Sequence, residues 1–154
     1  MTVEFKTGDL FATPGLQAFA HGCNCAGAMG KGIAVSFKER WPRMYAEYRK
    51  RCQSGEFKLG GVFLWQEAGF SVFNLGTQRT WRTKAEIWAI EESLTEMLKI
   101  ASANAIDHLA MPRIGAGLGG MLWEDVKALI VKLAGAGSLR ISVCVEFVAG
   151  QPLA

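Results

Sequence analysis

The sequence contains no long apolar run. No stretch of its 154 residues approaches the roughly 18 to 20 consecutive apolar residues that a membrane-spanning helix requires, and the N-terminus lacks a basic segment followed by an apolar one. Neither a membrane partner nor a secretory leader is expected, and the protein is read as cytoplasmic. Charge of one sign is also scarce: 17 Lys and Arg against 14 Asp and Glu leave a net charge of +3, spread along the chain and too mild to mark a polyanion-binding protein. The four cysteines, Cys23, Cys25, Cys52 and Cys144, show no paired C-x-x-C spacing, and a core of this size does not require disulfide staples. Reduced thiols, no metal and no cofactor are expected. Repeats, linkers and low-complexity segments are missing too, so residues 1–154 read as one domain, expected to be a monomer.

What is present is a chain half hydrophobic and one-fifth charged, enough for a proper core. Short apolar runs alternate with longer helical patterns. Residues 2–6 read as a first strand, and 16–23 as a second that runs into a glycine-rich segment. From Ile33 the pattern turns helical through Val35, Phe37 and Trp41 until Pro42 interrupts it, and residues 44–53 continue as helix. Residues 60–78 read as a β-hairpin about Ala68-Gly69. Over 84–103, Ile87, Ile90, Leu94, Met97, Leu98 and Ala101 fall at three- and four-residue spacing, the stripe of an amphipathic helix. Residues 108–115 read as a buried strand, a further helix carries Trp123, Val126, Ile130 and Leu133, and 139–148 form the closing strand. Strands alternating with crossover helices imply an α/β fold with a mostly parallel sheet covered on both faces.

Two glycine-rich segments stand out, NCAGAMGKGIA at 24–34 and GAGLGG at 115–120. Glycine at such density costs chain entropy that a solvent loop rarely needs to spend. Both segments directly follow buried strands, so both are placed at the carboxyl edge of the sheet, where open α/β sheets bind ligands. The first ends where a helix begins, so free N–H groups and the positive helix end point into it, which suits a diphosphate. The standard phosphate fingerprints fail. A P-loop needs glycine and Ser or Thr where Cys25 and Gly32 stand, and residues 27–32 read G-x-x-G-x-G after the second strand, not the G-x-G-x-x-G that follows the first strand of a dinucleotide-binding fold. On motif logic the reading is a nucleotide-like phosphate ligand.

GDLF (8–11), HGCNCAGAMGKGIAVSFK (21–38), TQRTWRTKA (77–85) and MPRIGAGLGGMLWEDV (111–126), in this order and spacing, resemble a macrodomain. The likeness covers nearly the whole chain. It is strongest to the branch that holds the terminal ADP-ribose protein glycohydrolase and the DNA ADP-ribosyl glycohydrolase antitoxins. The resemblance implies a three-layer fold, a mixed and mostly parallel sheet between helices, binding ADP-ribose across its carboxyl edge and hydrolysing its link to modified protein or DNA. It implies Asp9 as partner of the adenine amine and Leu10 as a backbone contact beside it, while capping of a turn is the other reading of Asp9. Phe147 is placed as an adenine stacker or an ordinary core residue. Gly30, Gly32, Ile33 and Ala34 are expected to cradle one phosphate and its ribose, and Gly115, Ala116, Gly117, Leu118 and Gly119 to wrap the diphosphate from the other side. Asn24 is expected at the terminal ribose or closing the turn after the second strand. His21 is read first as half-buried and second as a ribose neighbour. Lys31, between glycines, is read as exposed.

Lys84 carries the expected catalysis. By the resemblance a lysine here attacks or activates the anomeric carbon, which needs an unprotonated amine and therefore burial. In the protein-directed branch an aspartate assists from the position that Gly119 holds, and its absence implies substrates with leaving groups that depart readily. Gly119→Asp is then expected to improve carboxylate esters if the backbone allows it. Glu124 and Asp125 fit the first turn of the next helix. A pure reader of ADP-ribosylation and an O-acetyl-ADP-ribose deacetylase remain the competing functions.

Overall fold

In the computed structural model, which describes residues 2–117, 119–135 and 137–154, strand alternation divides the core in two. Strands β1 (Thr2–Gly8), β2 (Ala18–Asn24), β3 (Val62–Glu67), β4 (Phe70–Gln78), β5 (His108–Pro112) and β6 (Arg140–Phe147) form one sheet in the order β1-β6-β5-β2-β4-β3. Every neighbouring pair is parallel except the β3/β4 hairpin at the edge. Successive side chains on a strand face opposite sides. Ala18, Ala20, Phe73, Leu75, Leu109, Met111, Ile141 and Val143 therefore meet helices α3 (Ile87–Ala103) and α4 (Trp123–Ala134). Phe19, Cys23, Val72, Ala110 and Cys144 face the other way, onto α1 (Ile33–Arg40) and α2 (Pro42–Ser54). The result is the three-layer α/β fold that the resemblance implies. Among the described residues no helix is long and apolar enough to cross a membrane.

The differences from the sequence reading have local causes. Pro42 opens α2 at its first position, where its missing N–H costs nothing. Helix α3 begins at Ile87 because the preceding residues are strapped elsewhere: the Ala85 amide donates to Gly119 O at 2.8 Å and that of Glu86 to Thr77 O at 2.9 Å. β5 stops at Pro112, short of the 115 expected, and one turn of 3-10 helix at Leu10–Ala12 went unread. Since β2, β4, β5 and β6 run parallel, their ends at Asn24, Gln78, Pro112 and Phe147 share one edge of the sheet.

The half-buried reading of His21 is corrected. It is wholly buried, its ring stacked on Phe37 with centroids 3.8 Å apart, and it is not among the residues that line the cleft at the carboxyl edge of the sheet. Asn74 Nδ2 donates to Phe63 O at 3.0 Å, which fixes the orientation of that amide; its Oδ1 then accepts from His21 Nε2 at 2.7 Å. Burial lowers the His21 pKa to about 4, against a partial opposing pull from the Asn74 bond. The folded protein thus holds the ring neutral at pH values where the unfolded chain, with a pKa near 6.5, takes up a proton. Stability from this group is intact above pH 6.5 and falls as pH drops toward 4, by on the order of 3 kcal/mol in total. Denaturation at stepped pH should show that decline, and the His21 ring should stay neutral by NMR down to about pH 5; titration of the native ring near 6.5 contradicts the assignment.

Candidate functional site

A cleft of about 700 Å³ runs along the carboxyl edge of the sheet, within the roughly 300 to 1,000 Å³ usual for small-molecule sites. Phe147 and Glu146, the last residues of β6, line one end, and Asn24 and Gln78, the last residues of β2 and β4, line the other with Trp81. Between those ends lie three strand spacings, about 14 Å. One wall is the loop after β2 and the start of α1; the facing wall is the loop after β5.

The first wall presents backbone donors. Gly32 caps α1 with φ +63°, a left-handed conformation in which any side chain is strained, and Ile33 and Ala34 begin the helix with amides that have no carbonyl one turn back. Among the described residues, the amides of Met29 to Ala34 donate to no protein acceptor. Those of Gly115, Gly117 and Gly119 on the facing wall likewise have no acceptor among the described residues. Gly30, Gly32, Ile33, Ala34, Gly115, Gly117 and Gly119 all line the cleft. Ala116 does not, its amide being turned back to Arg113 O at 3.3 Å, and Leu118 lies outside the described residues.

Asn24 is brought to the cleft and also closes the turn. Its Oδ1 accepts from the amides of Ala26 and Ala28 at 3.0 and 3.2 Å, which fills both lone pairs, while Nδ2 donates to Ala28 O at 2.7 Å. One amide hydrogen is left for a ligand. The buried Tyr48 hydroxyl of α2 donates to Asn24 O at 2.6 Å and fixes the strand end from below. At the far end, Phe147 is 54% exposed and lines the cleft, which removes the core-packing reading. Asp9, one residue past the Gly8 that pairs with Phe147, lies outside the lining. Both its oxygens are engaged, Oδ1 by the Phe11 amide at 2.9 Å and Oδ2 by the Gly150 amide at 3.0 Å, so its visible work is capping. The Leu10 side chain is wholly buried.

Lys84 is exposed and does not line the cleft; its stem lies against Gly120 of the second loop. The burial expected to free its amine of a proton is therefore missing, because the strap at Ala85 and Glu86 turns the preceding residue outward. Lys31 is exposed as expected, with its ammonium 4.9 Å from the Trp81 ring centroid. The expectation for Gly119→Asp is also corrected: a Cβ there would stand 2.6 Å from Gly115 O, a backbone atom that cannot yield without moving the loop. Gln78, Trp81, Arg113 and Glu146 also line the cleft and were not singled out from sequence, although Gln78 and Glu146 close strands that end at this edge, the one available signal.

A family model described as the Macro domain matches residues 20–130. Among curated proteins, the chain is 32% identical over 133 residues to a DNA ADP-ribosyl glycohydrolase of Mycobacterium tuberculosis, covering 84% of this chain and 38% of that protein. It is 31% identical over 141 residues to the ADP-ribose glycohydrolase OARD1 of Homo sapiens, covering 92% and 90%. Among solved structures, the macrodomain of Thermus aquaticus DarG superposes with a TM-score of 0.85 at 29% identity, over 94% of this chain and 98% of that one. The chain thus spans about two-fifths of the length of the first curated relatives it matches.

The loop geometry makes a stability contrast. Gly30 has open space where a Cβ would stand and an unstrained backbone, so Gly30→Glu should leave the melting temperature within about 2 °C, in line with unstrained surface changes. Gly119→Asp should lower it by roughly 4 to 12 °C, the cost of overpacking against backbone. Equal melting temperatures for the two variants contradict the close approach of Gly119 to Gly115.

Proposed function

The chain belongs to the Macro domain family, and from that premise we propose that it binds ADP-ribose in the cleft and hydrolyses the bond between the terminal ribose and a modified macromolecule. The observation that carries the reading is the pair of opposed loops whose amides lack acceptors among the described residues, set across a cleft about 14 Å long between an exposed aromatic and a strand-end amide. Backbone N–H groups suffice for a diphosphate, which fits a chain of modest charge and needs no metal. Phe147 stacks on the adenine, with Asp9 holding the adjoining turn, and Gly30, Gly32, Ile33 and Ala34 with Gly115, Gly117 and Gly119 enclose the phosphates. The free Asn24 amide hydrogen donates to a hydroxyl of the terminal ribose. The relatives named as glycohydrolases support the hydrolytic half of the proposal.

Lys84 enters as a charge. An exposed lysine beside the second loop is placed to pair with an anionic leaving group and not to attack the anomeric carbon. Basic side chains also gather at the Trp81 end of the cleft, where Lys31 and Arg82 both approach the Trp81 ring, at 4.9 and 4.6 Å from its centroid. That environment favours substrates whose ADP-ribose is bonded to the oxygen of an acid, a carboxylate of protein or a phosphate of nucleic acid. Turnover should be measured on a Glu-linked peptide, a phosphate-linked oligonucleotide and a thymidine-linked oligonucleotide. Acid-linked substrates should be cleaved faster. Lys84→Ala should lose roughly two- to fivefold in kcat/KM and Lys84→Arg should restore it, the scale of an exposed charge pair. A loss of about a hundredfold in both variants means that the amine is the nucleophile or base instead. Binding without turnover on any substrate makes the domain a reader.

A further inference from the structure

We propose that Gln78 is the residue that holds the attacking water against the anomeric carbon, an inference that rests on the glycohydrolase reading above. Gln78 closes β4, pairs in register with Asn24, is buried, and lines the cleft. Its Nε2 lies 2.9 Å from Thr80 O and 3.0 Å from Thr83 O. Two carbonyl partners settle which end of the amide is nitrogen, because a carbonyl cannot donate. Both N–H groups are thereby spent. The carbonyls themselves are set by a closed turn in which the Thr83 hydroxyl donates to Thr80 O at 3.1 Å and accepts from the Thr80 amide at 3.0 Å.

Oε1 is the end that remains. Among the described residues no hydrogen bond reaches it, yet no buried side-chain oxygen or nitrogen among them lacks a partner, so Oε1 is an atom open to solvent. For a residue only 7% exposed, that opening is the cleft it lines. The free N–H of Asn24 at this end is a donor, and the neighbouring groups that could accept in place of Oε1 are engaged elsewhere. Asn24 Oδ1 is filled, the Thr77 hydroxyl donates to Cys23 O at 3.3 Å, and burial holds the Cys23 thiol well above its ordinary range. Glu146, a carboxylate of the cleft, stands at the opposite end, beside Phe147. A neutral acceptor pinned by its own nitrogen is thus what this end of the cleft offers a water molecule.

The chemistry that follows is restricted. The water oxygen forms a bond to the anomeric carbon, the bond from that carbon to the leaving oxygen breaks, and the leaving group departs with the electron pair. Oε1 accepts a hydrogen bond from the water and fixes its direction; an amide is too weak a base to keep the proton, which passes to solvent or to the departing group. No oxidant or reductant is involved. Because nothing at Gln78 protonates the leaving atom, the group must be stable as an anion, which selects acyl and phosphoryl oxygens over the nitrogen of a nucleobase or an alkoxide.

Gln78→Met and Gln78→Glu test this on the Glu-linked peptide in water containing methanol, with free ADP-ribose titrated in parallel. Met keeps length and removes the acceptor; Glu keeps an acceptor oxygen and removes the donors to the turn. Expected for Met is a fall in kcat of about a hundredfold, the scale of a lost positioning or proton-transfer group, with ADP-ribose affinity within about threefold of wild type. The share of methyl riboside in the product should rise several-fold, because the nucleophile is no longer selected, and Glu should retain more activity than Met. Unchanged kcat in Met overturns the proposal. So do equal losses in Met and Glu with the methanol share unaltered, which mark Gln78 as a strap for the turn. A wild type that cleaves only the thymidine-linked oligonucleotide overturns the proposal, and one that binds ADP-ribose yet cleaves none of the three substrates overturns the glycohydrolase reading itself.

Discussion

The site depends on backbone amides that the fold leaves without acceptors. A parallel sheet gathers the ends of β2, β4, β5 and β6 on one edge, and two of the connections leaving that edge are too tight and too glycine-rich to satisfy their own N–H groups. Buried amides without partners are costly, and these escape the cost only by opening onto a shared cleft. Amides that open onto the cleft are accessible to solvent, and an anion with oxygens on two adjoining phosphates can engage several of them at once. The glycines are consequences of the same geometry: Gly32 by its left-handed φ, Gly119 because a Cβ there would meet Gly115 O at 2.6 Å.

Much of this was legible in the sequence because it is written in backbone-determining residues. Short apolar runs at β2, β4 and β5 declared strands, the three- and four-residue stripe declared α3, and glycine clusters after two of those strands gave the address of the cleft. What sequence could not give was where a side chain points. Lys84 sits in a stretch whose helical periodicity extends past its true start, and only the straps from Ala85 to Gly119 and from Glu86 to Thr77 show that the residue before them is turned out to solvent. His21 alternates correctly for a residue near the edge, yet the bulk of Phe37 and the Asn74 amide hold it in the core. Gln78 carries no such signal, because nothing local to a glutamine announces that both of its N–H groups are taken.

These two outcomes change what kind of site this is. With Lys84 outside the cleft lining, and with no carboxylate, histidine or lysine among the described cleft residues at the Asn24 end except Lys31 on Trp81, the proposed binding rests on dipoles and the proposed chemistry on positioning. Preorganised neutral groups cost no reorganisation when charge develops. They also confer no titration of their own, so the choice of substrate falls to the stability of the leaving anion.

The central claim is that the two loops hold a diphosphate through their amides. The most direct measurement is an amide NMR titration of the protein, in the presence of a metal chelator, with ADP-ribose and separately with AMP. The amides of Gly30, Gly32, Ile33, Ala34, Gly115 and Gly117 should shift together on addition of ADP-ribose, those of the β3/β4 hairpin turn should stay in place, and AMP should bind more weakly and leave part of the set unmoved. Saturation by ADP-ribose with neither glycine loop perturbed, or equal affinity and equal shifts for AMP, would contradict the account.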